Sequence, residues 1–455
     1  MSVDLAYKSK PDNNNFEGFE GNLGIPYFGN AISIVTNYLD TVEKRIEKYG
    51  PMSTIKMVDQ TSLMVIGADL YQVIMQDRDQ NFSAEMGYIS QLGNFYRGGL
   101  LLMDFDEHKA QRRMMQSAFR TAALKRYHEM MHPLIVEHVT RWGKEPNFNF
   151  YDNIKPLLLE IGAKCFLGLS NVGSDMKHVN DLFLTVNEGL VALVKVNSSL
   201  TKFGRGKKAR DELEAYFKNM ILERRARGPG GDDMLSQMAH ELDENGKLYP
   251  IEDVMKHGIF MLFAAHDTTS SALTNMAHFL GVNKQQQDRV RAEVRALPSG
   301  TGELAYEDLE KMEFSGNCFN EVLRLKPPVP MMMRRTLRDF EWQGRMIPAN
   351  TVLSMPSFVN HRNPEYWTNP DQFDPDRFTP ERAEQRKHPY CYHPFGGGLH
   401  KCIGYHFAEM LAKSVLREIV LQWDFSTPAN YDPATEWFPL PKPKDGVPLT
   451  LKSAK

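Results

Sequence analysis

Phe395–Gly404 reads FGGGLHKCIG: three glycines and a histidine lead to a single cysteine. Gly396, Gly397 and Gly398 carry no Cβ, so the backbone can take positive φ and lie flat against a planar ligand. After Cys402 the apolar residues Ile403, Phe407, Leu411, Val415 and Ile419 recur every fourth position, and Leu416, Val420 and Trp423 widen the stripe. That spacing predicts a helix with Cys402 at its start. The unpaired N–H groups and partial positive charge of a helix N-terminus favour a thiolate. An isolated cysteine after a glycine turn is ordinarily structural. Here His400 two residues before it and Gly404 two after it mark a loop that delivers a thiolate.

The stretch resembles the signature of the haem-thiolate enzymes, the cytochrome P-450 family, which runs Phe-Gly-x-Gly-x-His/Arg-x-Cys-x-Gly, and it matches at every fixed position. The resemblance implies that Cys402 is the proximal ligand of a haem iron, pushing electron density onto the metal to favour O–O cleavage. It also implies that His400 pairs with a haem propionate and that Phe395 borders the cofactor. The fold implied is mainly α with a small β region, the helix-rich triangular prism of that family. Length alone would suggest about three domains for 455 residues; the resemblance replaces that with one haem-thiolate catalytic domain over residues 1–455.

With 42% hydrophobic and 24% charged residues the chain can bury a large core, and a net charge of −3 gives no case for nucleic acid. Cys165, Cys318, Cys391 and Cys402 follow no framework spacing and no signal peptide precedes them, which predicts a reduced, cytoplasmic setting. The longest apolar run, Gly258–Ala265, is far short of the roughly 18 residues of a membrane span. The polar N-terminus and the short tail after the cysteine helix predict a prokaryotic-type member without membrane anchor or fused reductase. Its electrons would come from separate partners.

Residues to about Asn30 read as an extended lead-in. Leu39–Tyr49 has helical spacing and stops at Gly50-Pro51, Met52–Met57 and Ser62–Ile66 read as a hairpin around Asp59-Gln60, and Ala68–Gln76 as a helix. Asn81–Asp104 reads as a long irregular stretch rich in Tyr88, Leu92, Phe95, Tyr96, Leu100 and Leu101. In the family this stretch covers the substrate pocket; core packing is the alternative for each aromatic.

His108 and Arg112 are four apart, so they share a helix face and could meet one anion. The resemblance assigns both to haem propionates, and leaves Arg113 for the face that receives a redox partner. From Thr121 to about Arg227 the pattern predicts successive helices. Within it, Leu190–Val196 followed by Lys202, Arg205, Lys207, Lys208 and Arg210 reads as a solvated loop, a lid, or a surface touching anionic lipid. Gly228-Pro229-Gly230-Gly231 is a break.

Ile251–Leu280 is the longest helical pattern and contains FAAHDTTSSAL. Consecutive hydroxyl residues are mediocre helix formers. The resemblance explains them: Ala264 and Ala265 leave room over the distal haem face, Asp267 and Thr268 relay protons to dioxygen, and Phe263 lines the pocket. Ala265 stands where the family usually has glycine, which narrows the site. Downstream, Glu321 and Arg324 are three apart, and FDPDRF supplies Arg377. By resemblance these three form a buried network that holds the cysteine loop and is not catalytic. Arg334 aligns with a propionate-binding arginine, while Val329, Met331, Met332 and Met333 fall where the pocket wall should be. Trp437-Phe438-Pro439-Leu440-Pro441 could return as a last pocket turn, with Phe438 inside, or form a terminal hairpin.

These expectations converge on a monomeric monooxygenase carrying haem b. It would insert one atom of O2 into an apolar substrate, with electrons reaching it from NAD(P)H through a ferredoxin- or flavodoxin-type donor and its reductase. Sterol- and terpenoid-oxidising branches look closest, with fatty acids and hydrophobic xenobiotics open. Two other readings remain: a peroxide-driven or isomerising haem-thiolate enzyme, against which the Asp267-Thr268 pair argues, and a non-enzymatic haem sensor, in which a proton relay would be superfluous.

Overall fold

A computed structural model describes residues 5–58, 60–169 and 174–454. Its one sizeable sheet has six strands in the order Gly21–Asn22, Met52–Met57, Gln60–Val65, Val352–Pro356, Met331–Thr336 and Phe82–Ser83. The predicted hairpin is present, with Met52 opposite Val65 and Met57 opposite Gln60, although Asp59 at its tip lies outside the described residues. Leu63 and Met64 then run parallel to Leu353 and Ser354, so the sheet joins the first and last thirds of the chain. The predicted helices are also there. Tyr38–Tyr49 ends where Gly50 takes φ 75°, and Thr121–Trp142, Phe150–Leu167, Ser174–Leu190 and Lys202–Arg227 fill the middle of the chain. Ile251–Val282 is the longest helix, at 32 residues and about 48 Å. It packs against Phe150–Leu167, Lys202–Arg227 and Glu313–Leu325 and forms the axis of the main core.

Four expectations change. The lead-in is not merely extended: Leu5–Ser9 forms a 3-10 turn, and buried Arg335 donates to the Tyr7 and Lys10 carbonyls and to Asp12. Asn81–Asp104 is not irregular, because Ala84–Tyr96 is a helix. Its first turn is capped by Ser83 Oγ, which accepts from Met86 N at 2.9 Å, and by the Asp104 carboxylate, which accepts from Ala84 N at 2.7 Å and Glu85 N at 3.2 Å. Most of the cap comes from twenty residues downstream, where no local pattern can register it. Gly87, which weakens the helical signal, is there because a Cβ would come within 2.8 Å of the Arg334 backbone.

The cysteine helix begins at Tyr405, so Cys402 lies in the turn before it. The glycines are also needed for a different reason than flatness against a ligand. A Cβ on Gly397 would strike the Tyr390 ring at 2.6 Å, and one on Gly398, at φ 61°, would meet the Met75 carbonyl. They let the loop sit against protein, on the Ala68–Gln76 helix and Tyr390.

Burial of neutral imidazoles gives the fold an acid limit. Burial is the largest cause holding His128 at about 4, with His132 adding to it; His257 at about 3, with His108 and Lys256; and His393 at about 4, with His388. The unfolded chain binds these protons near 6.5 and the native chain does not. Their contribution to stability is therefore whole above pH 6.5 and declines as the pH falls toward 4. Each contributes up to about 1.4 kcal/mol per pH unit, so the three together give about 4. Denaturant midpoints should be level from pH 8 to 7 and fall steeply between 6.5 and 4; a level curve through pH 5 would refute this.

Candidate active site

Cys402 N donates to the Phe395 carbonyl at 2.9 Å, which closes the loop, and the Phe395 ring is held edge-on against Tyr405 at 4.7 Å. The Cys402 side chain is accessible although protein atoms enclose it on almost every side, so it opens onto an internal space and not onto bulk water. Burial raises its thiol pKa, and the Gly404 N–H, Arg112 and Lys401, which pull it down, do not offset that. The thiolate-favouring helix end expected from sequence is thus outweighed by desolvation in the protein alone. An open cleft of about 370 Å³ between Ser117–Arg126 and Pro229–Glu241 shares no residue with this loop.

Beside the sulfur, basic side chains from three segments converge. His108 and Arg112 lie one turn apart on the Phe105–Gln116 helix, the His400 ring rests on His108 with centroids 4.0 Å apart, and Arg334 comes from the Met331–Thr336 strand. Burial, then Arg112 and Arg334, pushes His108 down to about 4; burial, then Arg334, His108 and Arg112, pushes His400 well below the usual range. Among the described residues neither arginine has an ion pair, and buried His108 Nδ1 has no partner. Two arginines without an ion pair, beside two imidazoles that burial and those arginines push toward the neutral form, make a site short of negative charge.

On the long helix Thr268 Oγ1 donates to the Ala264 carbonyl at 2.7 Å, so the hydroxyl keeps its lone pairs free. Asp267 Oδ1 accepts from His266 Nδ1 at 2.9 Å and lies 3.9 Å from Lys155 Nζ. Burial raises the Asp267 pKa, but His266 and Lys155 outweigh it, and the carboxyl is held below its usual value. His266 and Lys155 were not singled out from sequence. His266 lies inside the quoted motif, whereas Lys155 belongs to another helix and left no signal. His266 Nε2 is buried without a partner, its ring edge-on to Phe183.

The network behind the loop is complete. Glu321 accepts from Arg324 Nε at 2.7 Å, Arg377 Nε at 3.0 Å and Asp374 N at 2.9 Å, and all three charged side chains are 0% exposed. Glu384, which sequence reasoning missed, takes Arg377 Nη1 at 2.9 Å and balances the second guanidinium. The Tyr392 hydroxyl donates to the Asn320 carbonyl at 3.0 Å and His393 N to His361 Nε2 at 3.0 Å, which ties the network to the segment entering the cysteine loop.

Residues 20–447 match the family model described as Cytochrome P-450. The chain is a cytochrome P-450. It is 34% identical over 97% of its length, and 90% of the relative's, to cytochrome P-450 136 of Mycobacterium tuberculosis. It is 24% identical over 91% of its length, and 83% of the relative's, to mouse (Mus musculus) lanosterol 14-alpha demethylase. The solved structure of retinoic-acid-bound cyanobacterial CYP120A1 superposes with a TM-score of 0.85 at 27% identity, covering 95% of this chain and 99% of that one. Cytochrome P-450 monooxygenases bind haem and use dioxygen. No described helix of this cytochrome P-450 is long and apolar enough to cross a membrane.

The expected pocket residues fall into groups. Phe95, Tyr96 and Leu100 are buried in the main core, and the Tyr96 ring stacks on Phe263 at 4.2 Å. Leu92 and Met331 pack at its margin. Tyr88 is buried too, but its hydroxyl accepts from Met333 N at 3.1 Å and clamps the strand. Met332 turns to a separate core with Met75 and Tyr390. Val329 and Phe438 are 37% and 47% exposed; it is Trp437 that turns inward, onto Tyr38 at 5.1 Å. Of the basic run, Lys202, Arg205 and Lys208 are exposed as expected of a solvated face, whereas Arg210 is buried.

Proposed function

We propose that this cytochrome P-450 hydroxylates an apolar, terpenoid- or sterol-like substrate, with Cys402 as the iron ligand. The observation that carries the site assignment is the cluster of basic side chains beside the enclosed sulfur, in which neither Arg112 nor Arg334 has an ion pair among the described residues. His108, Arg112, Arg334 and His400 would hold the two propionates of haem b, and Phe395, Ala264 and Ala265 would border its faces. The bound haem supplies dioxygen activation. The protein supplies ligation, exclusion of water and two protons per turnover.

Asp267 and Thr268 carry those protons. The Thr268 hydroxyl, whose one proton is donated to the Ala264 carbonyl, offers its free lone pairs to a proton donor beside it, while Asp267 draws protons from the His266 and Lys155 side. Two electrons would come from NAD(P)H through a reductase and a ferredoxin- or flavodoxin-type donor, to a cytoplasmic monomer forming one catalytic domain. The substrate class is supported by relatives named for such substrates: the lanosterol demethylase and, at 26% identity, a beta-amyrin 28-monooxygenase of Saponaria officinalis. Fatty acids are the second class, because buried Phe95, Phe260 and Leu100 make no demand on ring shape.

The test is Thr268→Ala with a surrogate redox pair. Haem content should be unchanged and dioxygen uptake should continue, while product falls on the order of 10²-fold and the reducing equivalents appear as hydrogen peroxide. Full coupling in this variant would remove Thr268 from the relay.

A further inference from the structure

The Lys202–Arg227 helix lays one stripe along the end of the Ala84–Tyr96 helix. Phe203 meets Phe95 edge-on at 5.5 Å, a Cβ on Gly206 would lie 3.1 Å from the same ring, and Lys207 Nζ donates to the Asn94 carbonyl at 2.9 Å. Arg210 is one turn further along this stripe. It is 5% exposed, and its only ion pair among the described residues is Nη2 to Glu214 at 2.9 Å, whose own side chain is 37% exposed. The other nitrogen, Nη1, is buried with no partner. A guanidinium N–H taken out of water and left unbonded is costly, and a half-solvated glutamate on one side does not satisfy the fork.

Arg210 adjoins the aromatic side chains of the main core. Tyr96, whose ring stacks on Phe263 next to Ala264, has its hydroxyl within electrostatic reach of Arg210. That hydroxyl donates to Asn187 Oδ1 at 2.7 Å, and Asn187 itself is half-buried. Burial lowers the Arg210 pKa, and Glu214, Tyr96 and Asp211, which pull it up, do not offset that. One unpartnered guanidinium nitrogen, with Tyr96, Phe260 and Phe263 packed together from it toward the Ala264–Thr268 turn, suits a ligand with one polar end.

We propose that Arg210 determines specificity by pairing its free Nη1 to the carboxylate of an apolar acid whose far end reaches the Ala264–Thr268 turn. This rests on the monooxygenase reading above and narrows its substrate to a monoanion.

The experiment is optical titration of the ferric holoprotein, which reads binding through the spin-state shift and needs no turnover. Two sets of probes are used: farnesoic acid, its methyl ester and farnesol; and dodecanoic acid, its methyl ester and dodecanol. In the wild type at least one acid should bind about tenfold or more tighter than its ester and alcohol, the range for a hydrogen bond to a charged group. Arg210→Met should bring that set within about twofold of one another, and Arg210→Lys, which keeps the charge on a similar stem, should retain part of the preference. Arg210→Met should melt no lower than the wild type without ligand, because it removes an unsatisfied group. Equal binding of acid and ester in both sets, binding of no probe, or a preference that survives Arg210→Met overturns the proposal. A wild type without a thiolate-type carbon monoxide spectrum would sink the monooxygenase reading itself, a failure distinguishable from that of Arg210.

Discussion

Cys402→Ala should abolish the thiolate-type spectrum of the reduced carbon monoxide adduct and take product formation below detection. The loop leaves no substitute ligand. Cys165, Cys318 and Cys391 are all buried, Cys165 and Cys391 with their thiols against backbone carbonyls. Burial pushes Cys165 up to about 12 and raises Cys391 too. His400 is pressed against His108 in the basic cluster and is not placed to replace the sulfur. Because burial raises the Cys402 thiol, its conversion to thiolate would depend on the charge of a bound iron, and metal binding should release a proton. Haem could still lodge in the variant through the basic cluster, so the decisive readout is the ligation spectrum. A thiolate-type spectrum from Cys402→Ala would refute the assignment outright.

Glu321→Ala should cost the second largest amount, and through the fold. One carboxylate, 0% exposed, holds Arg324 and Arg377, and its removal leaves two fully buried guanidiniums with only Glu384 and backbone carbonyls for company. Breaking a buried network in this way costs about 3–5 kcal/mol. For a protein of ordinary stability that is about a fifth of the total or more. The expected result is low haem retention and an early melt, with residual holoprotein showing normal ligation and substrate shifts. Glu321→Gln, which keeps one acceptor oxygen, should fall between. A variant that retains haem and melts with the wild type would show that the network does not support the loop. A variant with normal stability and lost turnover would make Glu321 catalytic instead of structural.

The residues legible from sequence share one property: their meaning is carried by neighbours within a helical turn or a tight loop. FGGGLHKCIG, His108 with Arg112, Asp267 with Thr268, and Glu321 with Arg324 can all be read from spacing and residue type. Most of the helices could be read the same way, because periodic burial of one face is a local pattern. The Ala84–Tyr96 helix was not legible. Two glycines weaken it, and much of its cap is supplied by Asp104, which bonds the first turn only after the chain has gone around and returned. Lys155 was missed because an ion pair between distant segments leaves no periodicity behind; Glu384 meets Arg377 across seven residues of irregular chain, and the burial of Arg210 is set by what packs onto its helix.

The sequence alone therefore determined the family, the glycine-rich loop that carries Cys402 and the long helix that starts at Ile251, because each depends on residue type, backbone freedom and side-chain spacing over a few residues. Tertiary structure decided the rest. It gathered His108, Arg112, Arg334 and His400 into one uncompensated cluster, gave Asp267 its partners His266 and Lys155, and turned Arg210 from a presumed surface charge into a buried one. Charge balance and desolvation depend on everything within several ångströms of a group, whichever part of the chain it comes from.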